Sequence, residues 1–229
     1  MPNPVFFPMH LPMPTPDASC RRCGACCRAG GPALHRSDLP LAASGLLGPD
    51  TLVTLRRGDH VADNVAGGVG PAPAELVKVR PGPDGRACRF FATPAACSIH
   101  DRRPAECRAL YCEAPEGLAA MYRQERLTRA DLLPPGSGLA ALCANHEAAT
   151  DLVRLDGLCR LALAGDEGAR DEAYKMVKLD AAYRQLLPER TGVAPAALAF
   201  YLGRPPQEAL PACRALLAPG GLYKLWRRA

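Results

Sequence analysis

Eight cysteines in two groups constrain this chain more than any other feature of its sequence. The first group packs four cysteines into the pattern C-x2-C-x2-C-C, and the second group is spread over a longer stretch. Clustered thiols usually hold a metal in a reducing compartment, because a thiolate near zinc or iron loses its proton and becomes a strong ligand. The candidate metal ligands are Cys20, Cys23, Cys26, Cys27, Cys88, Cys97, Cys107 and Cys112.

The cellular compartment follows from the leader and from the cysteine count. The chain has 229 residues, enough for a core without disulfides, and its 11 cysteines are an odd number that cannot all pair internally. Prolines interrupt the first residues where a secretory leader would be apolar, and no apolar run reaches about 18 residues. We therefore expect a cytoplasmic protein without membrane contact, whose thiols stay reduced.

Charge and aromatic content bear on the partners. The net charge is +5, and the 28 basic and 23 acidic side chains are spread evenly along the chain. Aromatic residues make up only 5% of the sequence, too few for a platform on which bases stack. We expect a metal ion as ligand, a protein partner through the helical second half, and no nucleic acid.

Three segments differ in their residue patterns. Residues 1–17 are a proline-rich leader, residues 18–115 carry the two cysteine groups, and residues 116–229 are helical in pattern. We expect an α+β fold, with a small irregular cysteine-rich metal-binding domain that contains a short β-hairpin. The helical C-terminal half is expected to pack on that domain.

Local patterns predict the individual elements. Strands are predicted at 52–55, 76–79 and 86–91, the last two joined as a hairpin through the turn at 81–85. The glycine-rich stretch at 66–73 matches neither common phosphate-binding pattern and is predicted to be a plain loop. Helices are predicted at 117–126, 139–163, 167–187, 195–202 and 205–217, with Ser37, Thr128 and Asp166 as helix-start residues.

The spacing within the first cysteine group allows more than one metal. A CxxC pair followed by Gly24 is typical of zinc sites, whereas C-x2-C-x2-C is a spacing with which one loop wraps an iron–sulfur cluster. Adjacent Cys26 and Cys27 are hard to place on one ion, because neighbouring side chains point in different directions. Two four-thiolate sites, or one cluster with spare cysteines, both satisfy the count. The close spacing favours iron–sulfur slightly over zinc.

Other polar residues and cysteines have simpler predicted roles. Four thiolates around a divalent ion leave about −2 charge, which Arg102, Arg103 and Arg108 are placed to neutralise. His10, His35 and His60 are predicted to lie in solvated loops. The cysteines outside any motif are predicted to be small apolar core residues, and they are Cys143, Cys159 and Cys213.

Three stretches together form one combined motif. They are CxxCxxCC at 20–27, Gly-x-x-Cys-x-Phe at 85–90, and Cys-x-Ile-His-x-x-Arg-Pro-x-x-Cys-Arg at 97–108. Over residues 18–113 the chain resembles the bacterial CxxCxxCC cysteine-cluster family, whose members are described as zinc- or iron-chelating. The resemblance implies chelation by the seven cysteines of the motif, with Cys112 in a position that some members share. His100 stands where many members have tyrosine and is not counted as a ligand.

The resemblance implies a metal-binding protein that chelates zinc or iron, with no biological role attached. A flagellin lysine methylase is similar through its cysteine region. One alternative is therefore an iron–sulfur-containing protein-modifying enzyme, such as a lysine N-methyltransferase-like protein. A zinc-dependent adaptor is the other alternative. The sequence identifies no catalytic residue for either of them.

Overall fold

The structure is a computed structural model that describes residues 20, 22–92, 96–111 and 114–218. The predicted leader at 1–17 and the predicted ligand Cys112 lie outside these residues. Within them the fold is mixed α+β, as predicted, with short strands in the first half and longer helices in the second. No helix in the described part of the chain is both long enough and apolar enough to span a bilayer.

Within the described residues, six short strands form three antiparallel pairs. The strands are β1 Leu52–Leu55, β2 His60–Ala62, β3 Val69–Pro71, β4 Leu76–Val79, β5 Phe91–Ala92 and β6 Ala96–Cys97. Strand β1 pairs with β4, β2 with β3, and β5 with β6. In the β1–β4 pair Leu52 lies opposite Val79, and every residue of β1 is buried. The β1–β4 pair is therefore a largely buried and apolar part of the first half of the chain.

The predicted hairpin between 76–79 and 86–91 is confirmed in part, because the chain folds back antiparallel at the predicted turn but residues 86–90 form no strand. Strand β4 pairs with β1, while Pro81 and Cys88 form an antiparallel bridge. The amides of Gly82 and Arg89 donate to the carbonyls of Ala87 and Arg80 across this turn. The side chain of Asp84 accepts hydrogen bonds from the amides of Arg86 and Ala87. Those amides are therefore satisfied locally rather than by a neighbouring strand, which is how aspartate competes with a β-ladder.

The glycine-rich stretch predicted to be a loop contains strand β3, so that prediction is wrong in part. The chain turns at Asp63, whose side chain accepts hydrogen bonds from the amides of Val65 and Ala66. This turn returns β3 against β2 and forms a β-hairpin. The glycine-rich segment therefore projects from the molecule as the tip of a hairpin.

The three longest of the described helices lie together from residue 138 onward, and the other helices are short. They are α1 Ala25–Ala29, α2 Leu39–Ala43, α3 Ala105–Ala109, α4 Glu116–Met121, α5 Arg129–Leu132, α6 Gly138–Ala149, α7 Leu152–Leu163, α8 Glu167–Thr191, α9 Leu198–Tyr201, α10 Pro206–Ala209 and α11 Pro211–Leu217. The predicted helix at 139–163 is two helices, α6 and α7, because Asp151 caps a new helix by accepting the amide of Arg154.

Two of the three predicted helix starts are confirmed. Thr128 and Asp131 form a capping box, and Asp166 accepts the amide of Ala169 at the start of α8. Ser37 is not a cap. A short 3-10 turn at Arg36–Asp38 precedes α2, and the capping box there is formed by His35 and Asp38.

The main core draws residues from both sides of position 115. Leu52 and Val77 from the strands pack in one cluster with Leu127, which lies just before α5, and with Leu187 and Phe200 from later helices. A second cluster packs α7 against α8 and α11. The predicted core cysteines are confirmed as buried, with exposed fractions of 4% for Cys143 and 0% for both Cys159 and Cys213. The domain boundary at 115 stays a prediction.

A buried ion network joins the end of the strand pair to α6. The Arg56 side chain is 0% exposed, and its Nε lies 2.6 Å from the carboxylate of Glu147. Arg129 donates to the same carboxylate at 2.7 Å and to Glu75. One glutamate therefore holds two arginines from different elements, which fixes α6 against the first half.

Candidate metal centre

The first cysteine group folds as a turn that leads into a short helix. The amide of Arg22 donates to the Cys20 sulfur at 3.4 Å, as expected for a CxxC turn. Gly24 then has φ +73°, a left-handed conformation that suits glycine, and α1 begins at the next residue. Helix α1 carries Cys26 and Cys27, whose sulfur atoms lie 4.0 Å apart.

This turn packs directly on the segment that carries the second group. The amide of Cys88 donates to the carbonyl of Cys27 at 2.7 Å. A Cβ atom on Gly24 would lie 2.6 Å from the Phe91 ring, so the close approach requires glycine. The Arg28 guanidinium lies over the same ring, 5.5 Å from its centroid, and donates to the Cys23 carbonyl. The two cysteine groups are therefore held together by contacts that do not involve sulfur.

One buried and one half-buried carboxylate position helix α3, which carries Cys107. The carboxylate of Asp38, 0% exposed, accepts the amides of Ala105 and His35 at 2.8 and 3.0 Å. Glu106 accepts the amide of Ala33 at 2.7 Å and faces the His35 ring. Residues 33–38 follow the first cysteine group directly, so these bonds fasten the Cys107 helix beside it.

Five of the eight predicted ligands line one cavity. They come from α1, from the bridge after the Asp84 turn, from β6 and from α3, and they are Cys26, Cys27, Cys88, Cys97 and Cys107. Cys20 and Cys23 belong to the turn before α1 and are not among the lining residues. The structure thus brings together thiols that are up to 81 positions apart in the sequence, since 107 minus 26 is 81.

The environment of Cys27, Cys88 and Cys107 disfavours their thiolate forms in the absence of a cation. Burial, followed by repulsion from the neighbouring Cys26 and by the other thiols, raises the pKa of Cys27 to about 12. Burial also raises the pKa of Cys88, and it raises that of Cys107 further, where the charges of Cys88, Cys26, Cys27 and Cys97 add to the effect. A positive ion placed among these sulfurs would reverse that repulsion, because each thiolate would then be stabilised by the metal.

The donor set suits a soft metal ion. All the cysteines that the structure describes are free thiols, and none is consumed by a disulfide. Sulfurs bound tetrahedrally to zinc at about 2.3 Å lie about 3.8 Å apart, close to the 4.0 Å between Cys26 and Cys27. Among the described residues no three cysteine, histidine or acidic side chains are already arranged as ligands of one ion. The five side chains would therefore have to turn inward to close on a metal.

Two of the three predicted neutralising arginines, Arg103 and Arg108, bond to the backbone. Arg103 donates to the carbonyls of Cys107 and His100, and Arg108 donates to the carbonyl of Arg103. These bonds brace the loop that joins β6 to α3. Their positive charges remain near the thiols. The hydrogen bonds described for Arg103 and Arg108 do not include the bonds to sulfur that the sequence predicted.

Sequence analysis missed the residues that orient the site. His35 was predicted to be solvated, but it is 3% exposed, with Nδ1 2.6 Å from the Gln124 carbonyl and Nε2 3.2 Å from Glu106. Burial alone would lower the pKa of His35, but these two acceptors outweigh burial and raise it. The one sequence signal for Glu106 is its position in the motif, directly before Cys107.

Comparison with known proteins gives one match. Residues 19–126 match the family model CxxCxxCC, which is described as "Putative zinc- or iron-chelating domain". The matched segment includes both cysteine groups and ends one residue before Leu127, which belongs to the main core. No curated protein and no solved structure matches the chain.

Proposed function

We propose, from the match of residues 19–126 to the CxxCxxCC family model, that the protein binds zinc or iron through thiolates of both cysteine groups. The observation that carries the proposal is the meeting of five free thiols from four separate elements at one cavity. One ion takes four thiolates. The other predicted ligands, Cys20, Cys23 and Cys112, are then candidates for a second centre.

The metal would act first on folding. The thiols are buried or half-buried and repel one another when ionised, so the site is costly to charge without a cation. A bound metal supplies that cation, and structural thiolate sites of this kind contribute about 10 kcal/mol to folding. The chain's own residues contribute the frame: Asp38 and Glu106 hold α3, and Gly24 admits the turn against Phe91.

For the metal itself, the geometry favours a single tetrahedral ion, as zinc prefers. The sulfur separation in α1 supports this choice. An iron–sulfur cluster is the second candidate. It is supported by the C-x2-C-x2-C spacing, but that argument weakens because Cys20 and Cys23 do not line the cavity.

Anaerobic purification followed by metal analysis tests the proposal. We expect near-stoichiometric zinc or iron in the native chain and at least a severalfold loss of metal in Cys107→Ser. Cys143→Ser is the matched control, because Cys143 is a buried thiol in α6 far from any motif, and it should retain the metal. Equal metal content in all three proteins, or no metal in any, would overturn the proposal.

A visible spectrum of the same sample identifies the metal. A zinc site is colourless, so we expect no absorption above the protein band and no acid-labile sulfide. A brown protein with iron and sulfide would replace zinc by an iron–sulfur cluster and leave the thiolate ligands as proposed. The methyltransferase-like enzyme, which the resemblance suggested, and the zinc-dependent adaptor both stay predictions.

We also propose a cytoplasmic protein with a partner that binds the helical half. Reduced thiols support the first point. The second is supported by exposed apolar side chains on α7 and α8, which are Val153, Leu161, Leu163, Leu179 and Leu186. A photocrosslinking residue at Leu161 should capture a partner in cells, whereas the same residue at exposed Ala66 should not. No product at Leu161 would contradict this part of the proposal.

A further inference from the structure

The cavity beside the thiols is larger than a metal ion needs. Its volume is about 820 Å³, within the range of sites that hold small organic molecules. It extends from the cysteines along β4 to the β2–β3 hairpin and to α4. Most of its wall is apolar, and Leu55, Val61, Leu76, Ile99 and Leu118 are examples. An ion at the sulfur end would leave most of this space open.

Lys78 places a positive charge in this wall. It lies in β4 between Val77 and Val79, each 0% exposed, and opposite Val53 of β1. Among the described residues its ammonium has no hydrogen bond and no ion pair within 4.0 Å. Burial, which comes first, and then the charge of Arg126 lower the pKa of Lys78, although Glu106 acts against them.

Arg126 places a second positive charge at the same cavity. Its Nε is buried without a hydrogen-bond partner, and its guanidinium lies over the Tyr122 ring, 5.2 Å from the centroid. No ion pair to Arg126 is found in the described part of the chain. Two like charges in a half-buried apolar wall are costly unless an anion lies between or beside them.

The nearest carboxylate in the cavity wall is already engaged. Glu106 accepts the amide of Ala33 and faces His35, whose raised pKa favours the charged ring. Glu106 already bonds to the Ala33 amide and the His35 ring, so this one carboxylate leaves an excess of positive charge on Lys78 and Arg126. Asp63 at the rim is paired with Arg123 at 3.5 Å, so it does not supply the missing charge either.

We propose that this cavity binds an organic carboxylate with an apolar body, whose carboxylate is held by Lys78 and Arg126. The apolar wall accommodates the body, and the two unpaired cations supply the charge that recognises the head group. This function is separate from metal binding. A competing explanation is that the two cations neutralise metal-bound thiolates, and the experiment is chosen to distinguish the two.

Ligand binding to the metal-loaded, full-length protein tests the proposal, with decanoate as the probe and decanol as its neutral match. Isothermal titration should detect decanoate and show decanol at least about tenfold weaker, as expected for the loss of a charge-assisted contact. Lys78→Met keeps the aliphatic stem and should weaken decanoate at least about tenfold, with unchanged metal content. Lys175→Met removes an exposed lysine of α8 and should change neither property.

Three outcomes would overturn the proposal. They are no decanoate binding, equal binding of decanoate and decanol, and full decanoate affinity in Lys78→Met. Loss of metal in Lys78→Met with intact folding would also overturn it, since the lysine would then serve the thiolates. If Lys78→Met does not fold, Arg126→Gln takes its place, with the same loss of decanoate affinity expected and the same results contradicting it.

Discussion

At the residue scale, Gly24 is the position where the first cysteine group depends on having no side chain. Its φ is +73°, and a Cβ would meet Phe91 at 2.6 Å. Gly45 has a similar φ of +78° but has open space around its Cβ position. Comparing substitutions at the two glycines therefore separates the cost of a left-handed backbone from the cost of a steric clash.

We predict that Gly24→Ala destabilises the protein more than Gly45→Ala and also lowers its metal content. Gly45→Ala should cost about 1 kcal/mol in the free energy of unfolding, through the left-handed backbone alone. Gly24→Ala adds the collision with Phe91, which must push the turn away from Cys88. Chemical denaturation and metal analysis of both variants check this. Equal losses of stability with unchanged metal would contradict it.

Two buried histidines should respond to acid in opposite directions. Burial, and then the positive charges of Arg56 and Arg184, lower the pKa of His146. Asp180 accepts a hydrogen bond from Nε2 at 2.9 Å and raises the pKa, but it does not outweigh them. The pKa of His35 is raised. As the pH falls through 6.5, His146 therefore binds a proton more readily in the unfolded chain than in the folded chain. His35 shows the opposite order and is protonated more readily in the folded chain.

We predict that acidification from pH 8 to pH 5.5 destabilises the fold through His146 and stabilises it through His35. His146→Gln should make the free energy of unfolding rise, or fall less, on acidification over this range. His35→Gln should make it fall more steeply. Urea titrations at several pH values measure both slopes. Below about pH 4 a further loss is expected in the native chain, since the lowered pKa of Asp180 marks a carboxylate that favours the folded state. Parallel pH profiles for the native chain and both variants would contradict the assignment.

At the element scale, the link between the strand pair and α6 is electrostatic. Glu147 holds Arg56 and Arg129; burial raises its pKa, but the two arginines outweigh burial and lower it. Removing the carboxylate would leave Arg56 buried with only the hydrogen bonds to Thr150. That is the situation in which breaking a buried pair is most costly.

We predict that Glu147→Ala lowers the free energy of unfolding by about 3 kcal/mol. Glu172→Ala is the control, because Glu172 pairs with Arg154 at the exposed surface of α8 and α7, where both side chains are largely solvated. That exposed pair should contribute less than about 1 kcal/mol. Similar losses in the two variants would show that the buried network contributes no more than a surface pair.

The elements also show what sequence could and could not predict. Strands 52–55 and 76–79 were predicted correctly, because continuous apolar runs mark buried strands. The pairing of 76–79 with 86–91 was predicted only in part, because β4 pairs with β1. The Asp84 turn satisfies its amides locally and leaves 86–90 with a single bridge, to Pro81. The break between α6 and α7 depends on the cap at Asp151, which a continuous alanine- and leucine-rich pattern conceals.

At the scale of the whole molecule, the cysteine pattern predicted which part of the chain gathers, and the fold explains how. Bonds between Cys88 and Cys27, and from Asp38 and Glu106 to α3, bring the groups together without sulfur. Those carboxylates act over separations that no local pattern reveals. Lys78 and Arg126 were missed for the same reason, since an unpaired charge is recognised only when its surroundings are known.

The central claim is that sulfur atoms from both cysteine groups bind one metal. X-ray absorption at the zinc or iron edge of the anaerobically purified protein tests it most directly. We predict a shell of four sulfur atoms at about 2.3 Å from the metal, which loses sulfur in Cys107→Ser. A shell made only of nitrogen or oxygen at about 2.0–2.1 Å, or a sulfur shell unchanged in Cys107→Ser, would contradict the claim.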